Sequence, residues 1–380
     1  MEYTYKIRIY PNNSQKQELY ETFGANRFFF NACLKINQMI VGNMFTASTK
    51  TYYAAKNKSN LNHINNHLKN TFKWYKKIES TSLQSTRDNF LKAFQSFFRG
   101  NGFPHFKSRK NPVQSIRIVN NKDSIRIENN RLRLNKFGFF KYRDNRQIQD
   151  RIINTTIKFD NGRWFACILV DKNIEELPKT GLVTGIDLGK RHLLNFVDGR
   201  VIDKLNLTNE NNTISRLQRE LSRRTPKGKN YNKTLHKLQK AYNKINDKKN
   251  DFYHKLSTKI VSSYDFISME KLQIKNMLKE KRSARSTHEI AWYKLTNLIE
   301  QKASMYGKDF IKIDPKYTSK DCSVCGYRYK DLGRAVSSWI CPKCNTQHDR
   351  DINAACNILN KGLKLYEGGQ LSGNEKHTGV

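Results

Sequence analysis

The chain of 380 residues lacks any long apolar run, and none approaches the ~18 residues that a membrane span needs. Its opening, Met1 to Tyr5, has no apolar core behind a basic flank, so no secretory leader is expected. Acidic residues are scarce: 33 Asp and Glu stand against 70 Lys and Arg, for a formal net charge of +37. Small soluble domains usually stay within about 2 to 8 charges of neutral. An excess of this size repels itself unless a polyanion neutralises it, which points to nucleic acid and to binding that weakens steeply with salt. Only seven cysteines occur and nothing requires disulfides, so a reducing cytoplasm fits. A second glycine-rich phosphate loop is also missing. Gly185 to Gly189 (Gly-Ile-Asp-Leu-Gly) looks like the opening strand of actin-like ATPases and sugar kinases, but the Gly368–Gly369 pair lies in the tail, which argues against that class.

What is present is densest between Cys322 and Leu359. Cys322 and Cys325 form one CxxC pair and Cys341 and Cys344 a second, with fifteen residues between the pairs. That spacing is a zinc ribbon, in which two turns supply four thiolates to a tetrahedral Zn²⁺. Cys33, Cys167 and Cys356 stand in apolar or helical surroundings and read as buried thiols. Asp349 and Asp351 follow the ribbon at once.

Three acids stand out by context. Asp187 ends one apolar strand, Glu270 ends another, and Asp351 opens a helix behind the ribbon. Strand ends and helix starts of one sheet converge, so the three are candidates for a shared metal site. Phosphodiester hydrolysis needs an activated water and a stabilised leaving oxygen, which two divalent ions about 3.5–4 Å apart provide. Mg²⁺ prefers carboxylate oxygens.

Along the chain, Tyr3, Tyr5, Ile7 and Ile9 alternate with polar residues as a strand with one buried face. Ser14 with Gln17 reads as a capping box opening a helix that buries Leu19 and Phe23. Helical periodicity continues to about residue 99, clearest in Phe90, Leu91, Phe94, Phe97 and Phe98, a stripe that reads as core. Gly100 to Pro112 breaks the pattern, and alternating strands return at Ile116/Ile118, Ile125/Ile127, Leu132/Leu134, Thr155/Ile157/Phe159 and Trp164 to Val170. Glu175 to Thr180 reads as a linker. An α/β pattern follows, with strands at Val183–Leu188, His192–Val197, Val201–Leu205, Ile260–Met269 and Phe310–Ile313, and helices at about 288–306 and 351–362. The tail from Glu367 carries no core-forming pattern and is expected to be disordered.

Two basic groups are candidate phosphate contacts. Lys107, Arg109 and Lys110 lie in the first break, and Lys233, Lys237, Lys240, Lys244 and Lys248 share one face of a long helix. Like charges at that spacing destabilise a helix. With no acidic partners in register, the face is assigned to phosphate contact.

These residues resemble a family. Gly185 to Gly189, Met269 to Leu272, the paired CxxC turns and Asp351 to Ile358 look like the RuvC-like nuclease of TnpB proteins, RNA-guided nucleases of bacterial insertion sequences related to type V CRISPR effectors. Tyr5 to Asn12, Phe23 to Arg27, Gly102 to Arg109, Trp292 and Lys316 to Ser319 resemble further stretches of the same family, so the likeness covers nearly the whole chain. It implies a multidomain α+β fold. Residues 1–13 and 100–178 would form a β-barrel wedge domain of oligonucleotide-binding type, with a helical recognition insert at 14–99. Residues 181–318 and 348–366 would form an RNase H-like (RuvC) α/β domain carrying the zinc ribbon at 319–347, and 367–380 the tail. It implies Asp187, Glu270 and Asp351 as ligands of a two-ion Mg²⁺ site, a structural Zn²⁺, a guide RNA, a DNA target beside a short motif, and one protomer per RNA in a bacterial, nucleoid-associated setting. A transposase on a related three-carboxylate fold and an RNA-guided regulator that does not cut are the alternatives.

Overall fold

The computed structural model describes residues 1–42, 58–189, 191–271, 288–333 and 336–368. The chain divides into two compact units, Met1–Asn173 and Ile174–Val380.

The first unit is built on strands β1 (Glu2–Tyr10), β2 (Val113–Val119), β3 (Ile125–Glu128), β4 (Arg131–Leu134), β5 (Gly138–Arg143), β6 (Arg151–Asp160) and β7 (Arg163–Asp171), hydrogen-bonded in the order β2-β6-β7-β1-β5-β4-β3. Every pair is antiparallel. Alternation sends Tyr5, Ile7 and Ile9 of β1 inward with Ile116, Ile125, Leu132, Phe140, Ile157 and Ile168, so all seven strands feed one core. The sheet is curled around that core, but its hydrogen-bonded order has two ends, β2 and β3. The expected barrel is therefore an open ladder among the described residues. The β5 strand escaped the sequence pattern because Phe139 and Phe140 are adjacent and Phe139 faces solvent.

Helices α1 (Asn13–Gly42), α2 (Lys58–Thr71) and α3 (Ser80–Phe98) lie between β1 and β2, with a 3₁₀ turn at Lys73–Lys77. They keep their own core of Phe29, Leu34, Leu61, Tyr75, Leu83, Phe90 and Phe94. The cap of α1 lies two residues earlier than expected. Asn12 Oδ1 accepts from Gln15 N at 2.8 Å and Asn12 N donates to Gln15 Oε1 at 3.0 Å, a reciprocal cap made by Asn12 and Gln15 rather than Ser14 and Gln17. Gln15 Nε2 also donates to the carbonyls of Phe137 and Phe139, and these bonds select it over Gln17.

The second unit holds β8 (Val183–Asp187), β9 (Leu194–Phe196), β10 (Val201–Ile202), β11 (Phe266–Glu270) and β12 (Asp309–Ile313) in the order β10-β9-β8-β11-β12. Strands β8, β11 and β12 pair in parallel, while β9 pairs antiparallel with both β8 and β10, so that β9 alone is reversed. Helices α4 (Thr208–Ser222) and α5 (Lys229–Ser263) pair with each other, α6 spans His288–Met305, and α7 spans Arg350–Glu367. The expected strand at Ile260–Met269 begins only at Phe266, because Ile260 and Val261 are buried in the last turns of α5. The final helix runs five residues beyond the expected Gly362, to Glu367. Of the expected tail, residues 369–380 lie outside the described residues. The linker expected at Glu175–Thr180 is strapped down: Leu177 N donates to Tyr306 O at 3.1 Å, and Lys308 Nζ to Pro178 O at 2.6 Å. Among the described residues, no helix is long and apolar enough to cross a membrane.

Candidate active site

Alternation along β8 and β11 sorts their side chains onto two faces. Ile186, Ile267 and Met269 join the core with Tyr253, Leu256 and Ile260 of α5 and Trp292, Leu295 and Ile299 of α6. Gly185 and Ser268 point the other way, toward α7. A Cβ on Gly185 would strike Ala355 O and come within 2.6 Å of Leu359 N, and one on Gly362 would strike Ser268 Oγ. Only glycine at these positions lets α7 lie so close to the sheet. Ser268 Oγ donates to Ile358 O at 2.8 Å and fixes the helix's level.

The same alternation puts Asp187 and Glu270, two residues beyond Gly185 and Ser268, on the α7 face at the carboxyl ends of neighbouring parallel strands. Met269 pairs with Ile186, so the two acids are level. Helix α7 runs antiparallel to these strands: Tyr366 packs edge-on against Phe266 at a strand start, while Ala355 meets Gly185. Stepping back from Ala355 to Asp351 is about 6 Å of helix, and from Gly185 to Asp187 about 6.6 Å of strand. Asp351 in the first turn of α7 is thus brought to the strand ends.

The electrostatics follow. Burial, with the charges of Glu270 and Asp351, pushes the Asp187 carboxyl up to about 7, against the Asn195 hydrogen bond and the charge of Arg350. Burial also raises Glu270, opposed by the Thr318 hydroxyl, which donates to Glu270 Oε1 at 2.6 Å. The three acids are not drawn into a single-ion cage: among the described residues, the group of ligand atoms lying within 4.8 Å of one another is the four thiols. Asp349 is exposed and spends its carboxylate on capping α7, with Oδ1 accepting from Asp351 N at 2.9 Å and Ile352 N at 3.1 Å.

Several partners were not singled out as site residues by the sequence. Asn195, buried on β9, donates to Asp187 Oδ2 at 3.2 Å, an approach that a Cβ on Gly189 would block at 2.6 Å. Buried Asn353 donates to Asp321 O at 2.8 Å and accepts from Ser323 N at 2.9 Å, while Asn357 donates to Thr318 O at 2.8 Å. These two asparagines fasten the entrance of the ribbon to α7. Their trace in the sequence is a pair of polar residues four apart on a face whose other members, Ala354, Ala355 and Ile358, are apolar and buried.

The ribbon itself holds Cys322 Sγ 3.7 Å from Cys344 Sγ and Cys325 Sγ 3.6 Å from Cys341 Sγ. Two matching knuckles make this geometry. Gly326 N donates to Cys322 O and Asn345 N to Cys341 O, both at 2.9 Å, and Gly326 and Asn345 take φ of 74° and 56°. Strands β13 (Ser338–Ile340) and β14 (Gln347–Asp349) close the hairpin. His348 was not foreseen. Its Nε2 lies 3.1 Å from Cys322 Sγ and its ring sits 4.7 Å from that of Trp339, so it joins the sulfur cluster to the small ribbon core. Four soft sulfurs at this spacing fit Zn²⁺.

The basic candidates divide. On α5, Lys244 reaches Glu210 of α4 at 3.4 Å and Lys248 forms an ion pair with the same carboxylate. The expectation that this face lacks acidic partners is corrected for both: the acid comes from the neighbouring helix, which the register of α5 alone cannot reveal. Lys233, Lys237 and Lys240 lie on the same helix. Lys107 Nζ sits 4.0 Å over the Phe30 ring, and its backbone is tied to Asn31. Arg109 and Lys110 are exposed beside it.

Three family models match successive parts of the chain: a "Helix-turn-helix domain" over 1–41, a "Probable transposase" over 165–281, and a "Cas12f1-like, TNB domain" over 292–358. Residues 1–41 here form strand β1 and helix α1. A Streptomyces pristinaespiralis protein is 29% identical over 94% of this chain and 89% of its own length, and one from Escherichia coli K12 is 26% identical over 97% and 94%. Both carry the name "Putative RNA-guided DNA endonuclease", the second with the suffix InsQ. A mimivirus "TnpB-like protein" is 32% identical over 34% of the chain and 26% of its own length. A Cas12f1 chain, solved by cryo-EM with sgRNA and target DNA, superposes with a TM-score of 0.56 at 14% identity, covering 95% of this chain and 99% of that one.

Proposed function

We propose, from its place among the TnpB-like proteins, that this chain is an RNA-guided DNA endonuclease that cleaves target DNA beside a short motif, with Asp187, Glu270 and Asp351 as the catalytic carboxylates. The observation that carries the site is geometric: Asp187 and Glu270 end neighbouring parallel strands level with each other, and Asp351 opens the helix packed on that face; the upward push on the Asp187 carboxyl agrees with it. Hard oxygen donors of this kind suit Mg²⁺. A shared Asp187 flanked by Glu270 and Asp351 suits two ions better than one, and such a pair supplies an activated water and a stabilised leaving oxygen. The protein's own groups prepare that arrangement. Asn195 orients one Asp187 oxygen, Thr318 orients Glu270, and Asp349 caps α7 so that Asp351 opens its first turn.

The strand order β10-β9-β8-β11-β12, with three parallel strands, is the order of an RNase H-like fold and supports the RuvC reading. The ribbon takes Zn²⁺ as a structural clamp. In this reading the curled sheet of the first unit is the wedge, its helices are the recognition insert, and one protomer acts on one guide RNA. Base pairing reads the target while protein charge holds the heteroduplex by its backbone, so the enzyme works at the nucleoid.

The test is cleavage of a plasmid carrying the guide-matched target, using protein purified with its own RNA. Wild type should cut in Mg²⁺. Asp187→Ala should lose at least about a thousandfold in rate while retaining the RNA. Normal cutting by that variant removes the carboxylate assignment. The transposase reading, favoured by the name of the central family model, predicts joined rather than merely cut DNA ends.

A further inference from the structure

The chain has four tryptophans. Trp164, Trp292 and Trp339 are 6%, 4% and 5% exposed, whereas Trp74 is 48% exposed. Trp74 sits in the 3₁₀ turn between α2 and α3, and that turn is held rigidly from beneath. Tyr75 is fully buried in the helical core, its hydroxyl donates to Asn65 Oδ1 at 2.8 Å, and its amide to Phe72 O at 3.0 Å. Two more rings brace the indole: Phe28 with centroids 5.7 Å apart and Phe72 at 6.0 Å. The same turn carries Lys73, Lys76 and Lys77, all exposed, and no carboxylate lies within ion-pair distance of them among the described residues.

About half of the indole stays in water although Phe28, Phe72 and Tyr75 pack against the rest of it. Protein interfaces are depleted in lysine, so a trio of free ammonium groups argues against a protein partner. A flat ligand bearing phosphates meets both features at once, because bases stack on aromatic faces while cations take the backbone. We propose that Trp74, braced by Phe28 and Phe72, stacks an unpaired base of the guide RNA, with Lys73, Lys76 and Lys77 on the adjoining phosphates. RNA is favoured over target DNA because duplex bases are already stacked on one another, whereas RNA loops and bulges present bases splayed out. This assignment rests on the RNA partner proposed above.

Because Trp74 is the exposed indole, intrinsic fluorescence reports on it directly. The full chain is titrated with a single-stranded, unstructured RNA of about 16 nucleotides and with duplex DNA of the same sequence. RNA should quench the emission. Trp74→Phe should abolish that quenching while keeping most of the affinity, and Trp74→Ala should weaken RNA binding about tenfold with zinc content and thermal midpoint unchanged. Persistent quenching in Trp74→Phe, or wild-type RNA affinity in Trp74→Ala, overturns the platform while leaving the endonuclease reading intact. Equal quenching by DNA, with equal loss in Trp74→Ala, overturns the RNA assignment. A wild-type chain that binds no RNA sinks the proposed function itself.

Discussion

The two candidate metal centres of the second unit are assembled in opposite ways. In the ribbon, four thiols stand within 4.8 Å of one another, gathered by two local knuckles and a short hairpin. At the strand ends, three carboxylates from β8, β11 and α7 oppose one another, and the raised Asp187 records the cost. One centre is preformed by local backbone turns and is neutral or anionic as proton occupancy dictates. The other is held together against its own charge by a sheet and a close-packed helix. The contrast teaches that the sulfur centre should fail as folding and the oxygen centre as chemistry.

The largest expected effect breaks the ribbon. Cys341→Ser removes a fully buried ligand, and structural zinc sites commonly contribute about 10 kcal/mol or more of binding free energy to folding. Zinc content by elemental analysis should fall from one ion per chain to near zero, with loss of cooperative unfolding in the second unit. Retained zinc would show that His348 substitutes as a ligand.

A second variant probes the joint between the centres. Asn353→Ala strands the Ser323 amide that Asn353 Oδ1 accepts from and removes one of the donors to Asp321 O, which should cost about 1–3 kcal/mol. Zinc content should stay at wild type while the Mg²⁺ concentration needed for half-maximal cleavage rises. Unchanged Mg²⁺ dependence would mean the ribbon does not help position the carboxylates.

The charge opposition itself is tested by pH. Asp187 binds its proton more tightly folded than unfolded, so its contribution to stability in magnesium-free buffer is fully present below the ordinary carboxylate value near 3.8. It should decline as pH rises toward about 7. Asp187→Asn should flatten that decline, and Mg²⁺ should offset it in wild type. Thermal midpoints across that range decide it, and parallel curves for the two proteins would contradict the raised carboxyl.

The smallest effects concern the α5 lysines. Replacing Lys233, Lys237 or Lys240 by Ala should each reduce the salt slope of RNA binding by about 0.7–0.9 if it contacts a phosphate. Lys244 and Lys248, occupied by Glu210, should change it less.

How much was legible beforehand follows from how local each feature is. The cysteine spacing declares a ribbon because each knuckle is made within a few residues. Strand alternation exposes β1, β2 and β7 because one face is buried. The α1 cap was misread by two residues, since Gln15 is selected by carbonyls of Phe137 and Phe139 far along the chain. Glu210 was invisible to a reading of α5 for the same reason. His348 and Asn195 carry no motif, because their work is to meet groups from other elements; Asn353 stands inside the Asp351-to-Ile358 motif, but its hold on Asp321 and Ser323 shows only in the fold.

The sequence by itself determined charge, zinc spacing and the apolar periods that make each element, all of which depend on neighbours within a turn or a strand. Only the tertiary structure decided that Gly185 and Gly362 let α7 lie against the sheet, that Asp187 and Glu270 end level on parallel strands, and that the first turn of α7, with Asp351, lies toward those strand ends. Those outcomes depend on register and close approach between segments distant along the chain, which composition and period leave open.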